Sequence, residues 1–300
     1  MGSHSLGDVA SMDAMTRIER TLAAAIVQGE APGCPPLLAA AIRHAVFPGG
    51  ARIRPRLCLA VARACGDDDP AAADAAATSI ELLHCASLIH DDLPCFDDAL
   101  TRRGKPSVHR AFGEPLAVLA GDALIVMAFQ TLARGAAAVP QRLAALTLTI
   151  ARSVGAPLGI VAGQAWECEP SCDLAEYQRS KTGALFAAAT IAGAAAAGAE
   201  AEAWRELGER LGEAYQVADD LRDVAGNAED LGKPVGQDLA LGRPSAALQL
   251  GVSGALDRLR DLAAGAVAAI PPCPGAGELR SHILTEVRRL VPKELALQAA

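Results

Sequence analysis

Aromatic residues are scarce in this chain: Phe, Trp and Tyr make up 3% of its 300 residues. Runs in which Val, Ile or aromatics alternate with polar residues are equally scarce, and half-buried strands need them. Basic residues are outnumbered, 27 Lys and Arg against 35 Asp and Glu, leaving a formal net charge of −8. That balance excludes nucleic acid as a partner, because a phosphate-tracking surface needs a basic excess. No CxxC pair occurs among the eight cysteines, and Cys168 and Cys172, four apart, lack further ligands at zinc spacing. Reduced thiols in the cytoplasm are the expectation. The opening MGSHSLGDVASM has no apolar core, so it is no signal peptide. Residues 1–14 read as a tag or disordered N-terminus, with Met12 or Met15 as the natural start. The uncharged stretch Thr182–Ala199 approaches membrane-spanning length, yet Ala and Gly transfer weakly into lipid. A buried core helix is expected there, and no membrane span.

What the chain has is apolar content, 51% of residues, carried largely by Ala and Leu. These are strong helix formers. Helical periodicity recurs between short Gly/Pro interruptions such as Pro32–Pro36, Gly104–Pro106, Gly155–Pro157 and Pro271–Gly275, with no long linker and no internal repeat. Helices of roughly 12–25 residues with short connections predict one all-α bundle over 15–300.

Two acidic clusters interrupt this apolar chain. The first, His90-Asp91-Asp92-Leu93-Pro94-Cys95-Phe96-Asp97-Asp98, follows the apolar helix Ile80–Ile89. Pro94 cannot continue a regular helix, so the helix should bulge or end near Leu93 and let Asp97 swing back beside Asp91. The second, Asp219-Asp220-Leu221-Arg222-Asp223, has no breaker, and Asp219 and Asp223 share one helical face. Like charges gathered this way repel unless a cation lies between them. Carboxylate oxygens suit Mg²⁺, which bridges a few carboxylates to substrate phosphates. Asp91, Asp92, Asp97, Asp219, Asp220 and Asp223 are therefore the candidate metal ligands. Basic residues are grouped as well: Arg102 and Arg103 follow the first cluster at once, Lys233 and Arg243 follow the second, Arg52 and Arg54 follow the turn Pro48-Gly49-Gly50, and Lys181 opens the Ala-rich stretch. Arg pairs suit bidentate phosphate contact, and Lys acts as a point charge.

The segments GGARIRP (Gly49–Pro55), LIHDDLPCFDDALTRRGKP (Leu88–Pro106), GQ (Gly163-Gln164), KTG (Lys181–Gly183), YQVADDLRD (Tyr215–Asp223) and GKPVGQD (Gly232–Asp238) occur in this order. In them the sequence resembles the trans-prenyltransferases, or polyprenyl diphosphate synthases, over nearly its whole length. The spacing of the first acidic motif is similar to that of the bacterial farnesyl and geranylgeranyl synthase branch. The resemblance implies the isoprenoid synthase fold, a helical bundle with a deep central cavity, acting as a homodimer. It implies three Mg²⁺ per active site, two on the side of Asp91 and Asp97 and one on that of Asp219, holding an allylic diphosphate. Arg102, Lys181, Lys233 and Arg243 match positions that hold the same diphosphate. Arg54, His84 and Arg103 match those that hold isopentenyl diphosphate. Thr182 and Gln216 match polar groups facing the developing carbocation. Asp91, Asp97, Asp219, Lys181, Thr182 and Gln216 are thus the expected catalytic set.

Three positions depart from the family pattern. Ala51 stands where a Lys is usual, a feature similar to geranylgeranyl synthases of carotenoid-making photosynthetic bacteria. Arg222 replaces an apolar residue and is expected to face outward. Glu167 replaces an Asp after Gly-Gln and keeps the carboxylate. Product length follows from Ala86, five residues before Asp91 and about 7.5 Å down the helix. The resemblance makes this the cavity floor, where an aromatic stops the chain at C15; with Ala the expected product is C20 geranylgeranyl diphosphate. Farnesyl diphosphate synthase is the alternative. A terpene cyclase fits less well because the second motif is a full DDxxD. A non-catalytic subunit would carry the CxxxC spacing of Cys168 and Cys172, but usually loses an Asp motif.

Overall fold

Asp69 and Pro70 start the helix that carries the first acidic cluster. The Asp69 carboxylate accepts the Ala72 N–H at 3.0 Å, and Pro70 occupies the first turn, where its missing N–H costs nothing. The structure, a computed structural model, describes residues 13–47, 49–171, 173–225 and 245–290. The segment Gly232–Asp238 with Lys233, and Arg243, lie outside the described residues. Among the described residues the regular structure is helical apart from one ribbon of two two-residue strands, as the composition predicts. They group into two units, Met1–Ala151 with Ala188–Glu202, and Arg152–Ala187 with Ala203–Ala300.

The first unit contains α1 (Ala14–Gly29), α2 (Pro36–Val46), α3 (Ile53–Cys65), α4 (Pro70–Asp91), the antiparallel strands β1 (Thr101–Arg102) and β2 (Lys105–Pro106), α5 (Val108–Phe112) and α6 (Glu114–Gly135). Helix α1 buries Ile18, Leu22, Ala25 and Ile26, one stripe at helical spacing. Helix α4 is buried nearly all round, which identifies it as the centre of this unit. The Ser79 hydroxyl lies 2.7 Å from the Ala75 carbonyl and 2.8 Å from that of Ala128, joining α4 to α6. Arg17 of α1 is 1% exposed and donates to Asp74 at 2.8 Å and Asp67 at 3.0 Å, which meets the demand that a buried charge be paired.

The ribbon was not foreseen. Arg103 (φ 53°) and Gly104 (φ 74°) form its two-residue turn, and two positive φ values in succession match the twist of a tight hairpin. Glycine at the second position removes one of the two steric penalties.

The second unit holds α8 (Ile160–Ala165), α9 (Leu174–Gln178), a π-helical turn at Arg179–Gly183, α11 (Arg205–Ala225), α12 (Ala246–Ala268) and α13 (Ala276–Leu290). Helices α7 (Pro140–Val154) and α10 (Ala184–Ala196) contribute residues to both units. Helix α11 buries Leu207, Leu211, Ala214, Val217, Ala218 and Leu221 on one face, against which α12 packs. The stretch Thr182–Ala199 is not one helix: Thr182 and Gly183 belong to the π turn, and α10 has 13 residues, buried as expected. Among the described residues one helix, α6, is long and apolar enough to cross a membrane.

Candidate active site

Helix α4 ends at Asp91, and the chain beyond Leu93 turns back over that end. The Asp97 N–H donates to the Asp91 carbonyl at 3.0 Å, and the Ala99 N–H donates to that of Asp92 at 3.2 Å. These bonds satisfy carbonyls that the broken helix leaves without intrahelical partners. They also bring a carboxylate oxygen of Asp97 within 4.8 Å of one of Asp91, as the placement of Pro94 predicts. Asp91 is half-buried and Asp97 exposed. Asp92 points elsewhere. It is 2% exposed, and its Oδ1 accepts from Arg102 Nε at 2.9 Å and from Nη2 of the same residue. Burial pushes the Asp92 carboxyl up, and Arg102 opposes that shift. Arg102 also lies 3.6 Å from Asp91 Oδ2.

Arg52, Arg54, His84 and Arg103 gather about two turns of α4 before Asp91. Arg52 has φ 50° and a fully buried side chain. It donates to Glu19 at 2.9 Å, Glu81 at 2.6 Å and the Val46 carbonyl at 2.9 Å. Burial works against its charge, yet the two carboxylates raise its pKa. A side chain on Gly49 would come within 2.1 Å of the Arg52 guanidinium, which accounts for the glycine there. Arg52 is therefore an internal strut of this unit. One turn of helix beyond Glu81, His84 Nε2 lies 3.4 Å from Arg54 Nη1. Desolvation holds the His84 pKa well below its ordinary value, and Arg54, Arg103, Arg102 and Arg52 add to the shift. At neutral pH this imidazole is uncharged and surrounded by guanidinium groups, an environment suited to an anion. Arg103 Nη2 is 3.8 Å from Glu81. Lys105 Nζ donates to the Phe47 carbonyl at 2.5 Å and to that of His44 at 3.3 Å, while His44 Nε2 lies 2.8 Å from the Pro106 carbonyl. These contacts dock the ribbon on the C-terminal end of α2, whose free carbonyls accept the cation. Ala51 is exposed, and Ala86 is 1% exposed.

In the second unit the π turn presents Lys181 and Thr182. Lys181 Nζ is 2.5 Å from Glu167 Oε1, which also accepts the Tyr177 hydroxyl at 2.6 Å, while Glu167 Oε2 accepts from Gln164 Nε2 at 3.0 Å. Glu167 thus keeps the carboxylate expected at this position and uses it to hold Lys181. Thr182 Oγ1 donates to Gln216 Oε1 at 3.0 Å, and Gln216 Nε2 donates to Asp220 Oδ1 at 2.9 Å. Asp220 Oδ2 accepts the Ala246 N–H at 2.7 Å. Burial raises the Asp220 pKa, opposed by the Ala246 and Gln216 hydrogen bonds. Asp219 is half-buried and Asp223 buried, both on the unbroken helix α11. Arg222 does not face outward as expected. Its side chain is 21% exposed, 3.4 Å from Asp219 Oδ1, and stacks 5.7 Å above the Tyr215 ring.

Sequence reading missed Glu81 and the roles of Arg52 and Lys105. A signal for Glu81 was available, since a lone carboxylate inside an apolar helix requires a buried cation. Its partner could not be read from local pattern.

The helical architecture and the two aspartate clusters define a class: the chain belongs to the polyprenyl synthetase family, whose profile matches residues 35–263. The geranylgeranyl diphosphate synthase of Cereibacter sphaeroides is 58% identical over 280 residues, 93% of this chain and 97% of that protein. The geranylgeranyl diphosphate synthase of Rhodobacter capsulatus is 56% identical over 267 residues, 89% and 92% respectively. The crystal structure of a geranyltransferase from Helicobacter pylori, complexed with magnesium and isoprenyl diphosphate, superimposes with a TM-score of 0.77 at 28% identity, covering 95% of this chain and all of that one. The fold is that of the isoprenoid synthases.

Proposed function

We propose that the protein is a magnesium-dependent prenyltransferase that condenses isopentenyl diphosphate with allylic diphosphates, head to tail, to give geranylgeranyl diphosphate. Relatives at 58% and 56% identity over almost their full lengths carry that name. The observation that carries the reading is the return of Asp97 onto Asp91, which makes a hard-oxygen pair beside the Arg102 guanidinium. That donor set fits Mg²⁺. Asp91 and Asp97 would hold it in the first unit, with Asp92 fixing Arg102; Asp219 and Asp223 are the corresponding groups in the second. The allotment of three ions, the homodimer, the cytoplasmic location and a place in carotenoid biosynthesis belong to this proposal.

Bound magnesium supplies neutralisation of the charge that builds on departing pyrophosphate. The chain's own residues do the rest. Arg102, Lys181, Lys233 and Arg243 bind the allylic diphosphate. Arg54, neutral His84 and Arg103 bind that of isopentenyl diphosphate. Oxygen atoms of Thr182 and Gln216 face the allylic cation, and apolar walls exclude water from it. Loss of the C–O bond to pyrophosphate leaves the allylic cation, and the isopentenyl double bond then attacks it to form the new C–C bond. Pyrophosphate then takes the proton, so no side-chain nucleophile is required.

Mass analysis of products from labelled isopentenyl diphosphate and the purified single chain tests the reading. C20 is expected from wild type and C15 from Ala86→Tyr, because an overpacked wall yields only at a cost of about 1–3 kcal/mol. Wild type stopping at C15, or a Tyr variant still making C20, removes Ala86 as the floor. Absence of turnover would favour a non-catalytic subunit.

A further inference from the structure

The second acidic cluster contains one carboxylate unlike its neighbours. Asp220 is 1% exposed, and both of its oxygens are engaged, Oδ1 by Gln216 Nε2 at 2.9 Å and Oδ2 by the Ala246 N–H at 2.7 Å. Ser245 holds the N-cap position of α12 and is of a type that caps well, yet it makes no capping bond, and its buried Oγ has no hydrogen-bond partner among the described residues. Asp220, reaching across from α11, satisfies the first N–H of α12, one of the four that the helix leaves without an internal partner.

The polarity of the chain of hydrogen bonds follows from what each group can do. An ionised carboxylate only accepts, so the Gln216 amide must turn its NH₂ toward Asp220 and its carbonyl toward Thr182. Thr182 has one hydroxyl proton and donates it to that carbonyl at 3.0 Å. Thr182 Oγ1 is then left with lone pairs alone, as is Gln216 Oε1. Two oxygens that offer only lone pairs are what a developing carbocation requires. A flipped Gln216 would instead offer N–H dipoles.

We infer that Asp220 is a positioning residue and not a magnesium ligand: it fixes the Gln216 amide so that Thr182 and Gln216 present lone pairs, and it ties that pair to the start of α12. This rests on the prenyltransferase reading above. It also separates Asp220 from Asp219, whose carboxylate is half-buried and remains a candidate ligand.

The test is a cycle of isosteric exchanges in the full-length chain. Asp220→Asn turns an NH₂ toward Gln216 and flips its amide; kcat should fall at least tenfold. The Mg²⁺ dissociation constant, measured by calorimetry with inorganic pyrophosphate present, should stay within twofold. Gln216→Glu alone sets two carboxylates face to face and should also lower kcat at least tenfold. Combining the exchanges restores an acceptor toward Thr182 at unchanged net charge, and kcat should recover at least fivefold over either single variant. If Asp220→Asn fails to fold, a double variant that folds and turns over is recovery in the same sense. Exchange of the Ala246 amide with deuterium should quicken at least tenfold in Asp220→Ala, with or without Mg²⁺. A tenfold weaker Mg²⁺ affinity in Asp220→Asn, or a double variant no better than the worse single one, overturns the inference. A wild-type chain without turnover would instead remove the prenyltransferase reading, and this inference with it.

Discussion

Glu81 Oε1 accepts Arg52 Nη1–H at 2.6 Å, and neither side chain is more than 2% exposed. The pair joins α4 to the residue that precedes α3, and α3 carries Arg54 in its first turn. Glu81→Ala leaves a buried guanidinium short of a partner, a loss of about 3–5 kcal/mol in buried ion pairs. Denaturant unfolding should show a drop of that size. A loss under about 1 kcal/mol would mean that Glu19 and the Val46 carbonyl suffice.

Chelation should abolish turnover, and added Mg²⁺ should restore it. Asp91→Ala and Asp219→Ala each remove several kcal/mol of charge stabilisation, roughly a 10²–10⁴-fold loss in kcat. Either variant running near the wild-type rate would remove that residue from the metal assignment.

Ala51 is exposed beside Arg52, so a lysine fits there without repacking. One charge-assisted hydrogen bond is worth about 1.5–3 kcal/mol. Ala51→Lys should therefore lower the KM for isopentenyl diphosphate while leaving that for the allylic substrate unchanged. An unchanged or higher KM for isopentenyl diphosphate shows that Arg54, His84 and Arg103 do not need the extra cation.

His84 titrates in the unfolded chain near its ordinary value of 6.5, and well below that in the folded one. Below about pH 6.5 the unfolded state therefore binds a proton that the native state does not, and stability falls as pH falls. The slope from this residue approaches about 1.4 kcal/mol per pH unit. His84→Gln should lose that share. Unfolding free energies of the two chains, compared at pH 7 and pH 5, should differ more at pH 7; a constant difference refutes the depressed pKa.

Much of this was legible in the sequence. The end of α4 near Leu93 follows from Pro94, a local steric fact, and the return of Asp97 follows from it. The shared face of Asp219 and Asp223 follows from helical periodicity alone. Other features depend on partners distant in the chain. Nothing local to Arg52 says that it meets Glu19 and Glu81, and nothing near Arg222 says that Tyr215 and Asp219 draw it back. The π turn at Arg179–Gly183 and the two-residue ribbon are too short to leave a periodic trace. Their presence shows in the chemistry they arrange, Lys181 and Thr182 on one, Arg102 and Arg103 on the other.

The ribbon turn at Arg103-Gly104 sends adjacent arginines to different partners, Arg102 to Asp92 and Arg103 toward Glu81. The separation depends on the two-residue turn and on the register that pairs Thr101 with Pro106 and Arg102 with Lys105, so one residue added or removed between Thr101 and Pro106 would displace both arginines from their partners. The segment should therefore tolerate substitution far better than any change in its length. In natural variants and in libraries, indels should be absent from it while neighbours such as Leu100 vary freely.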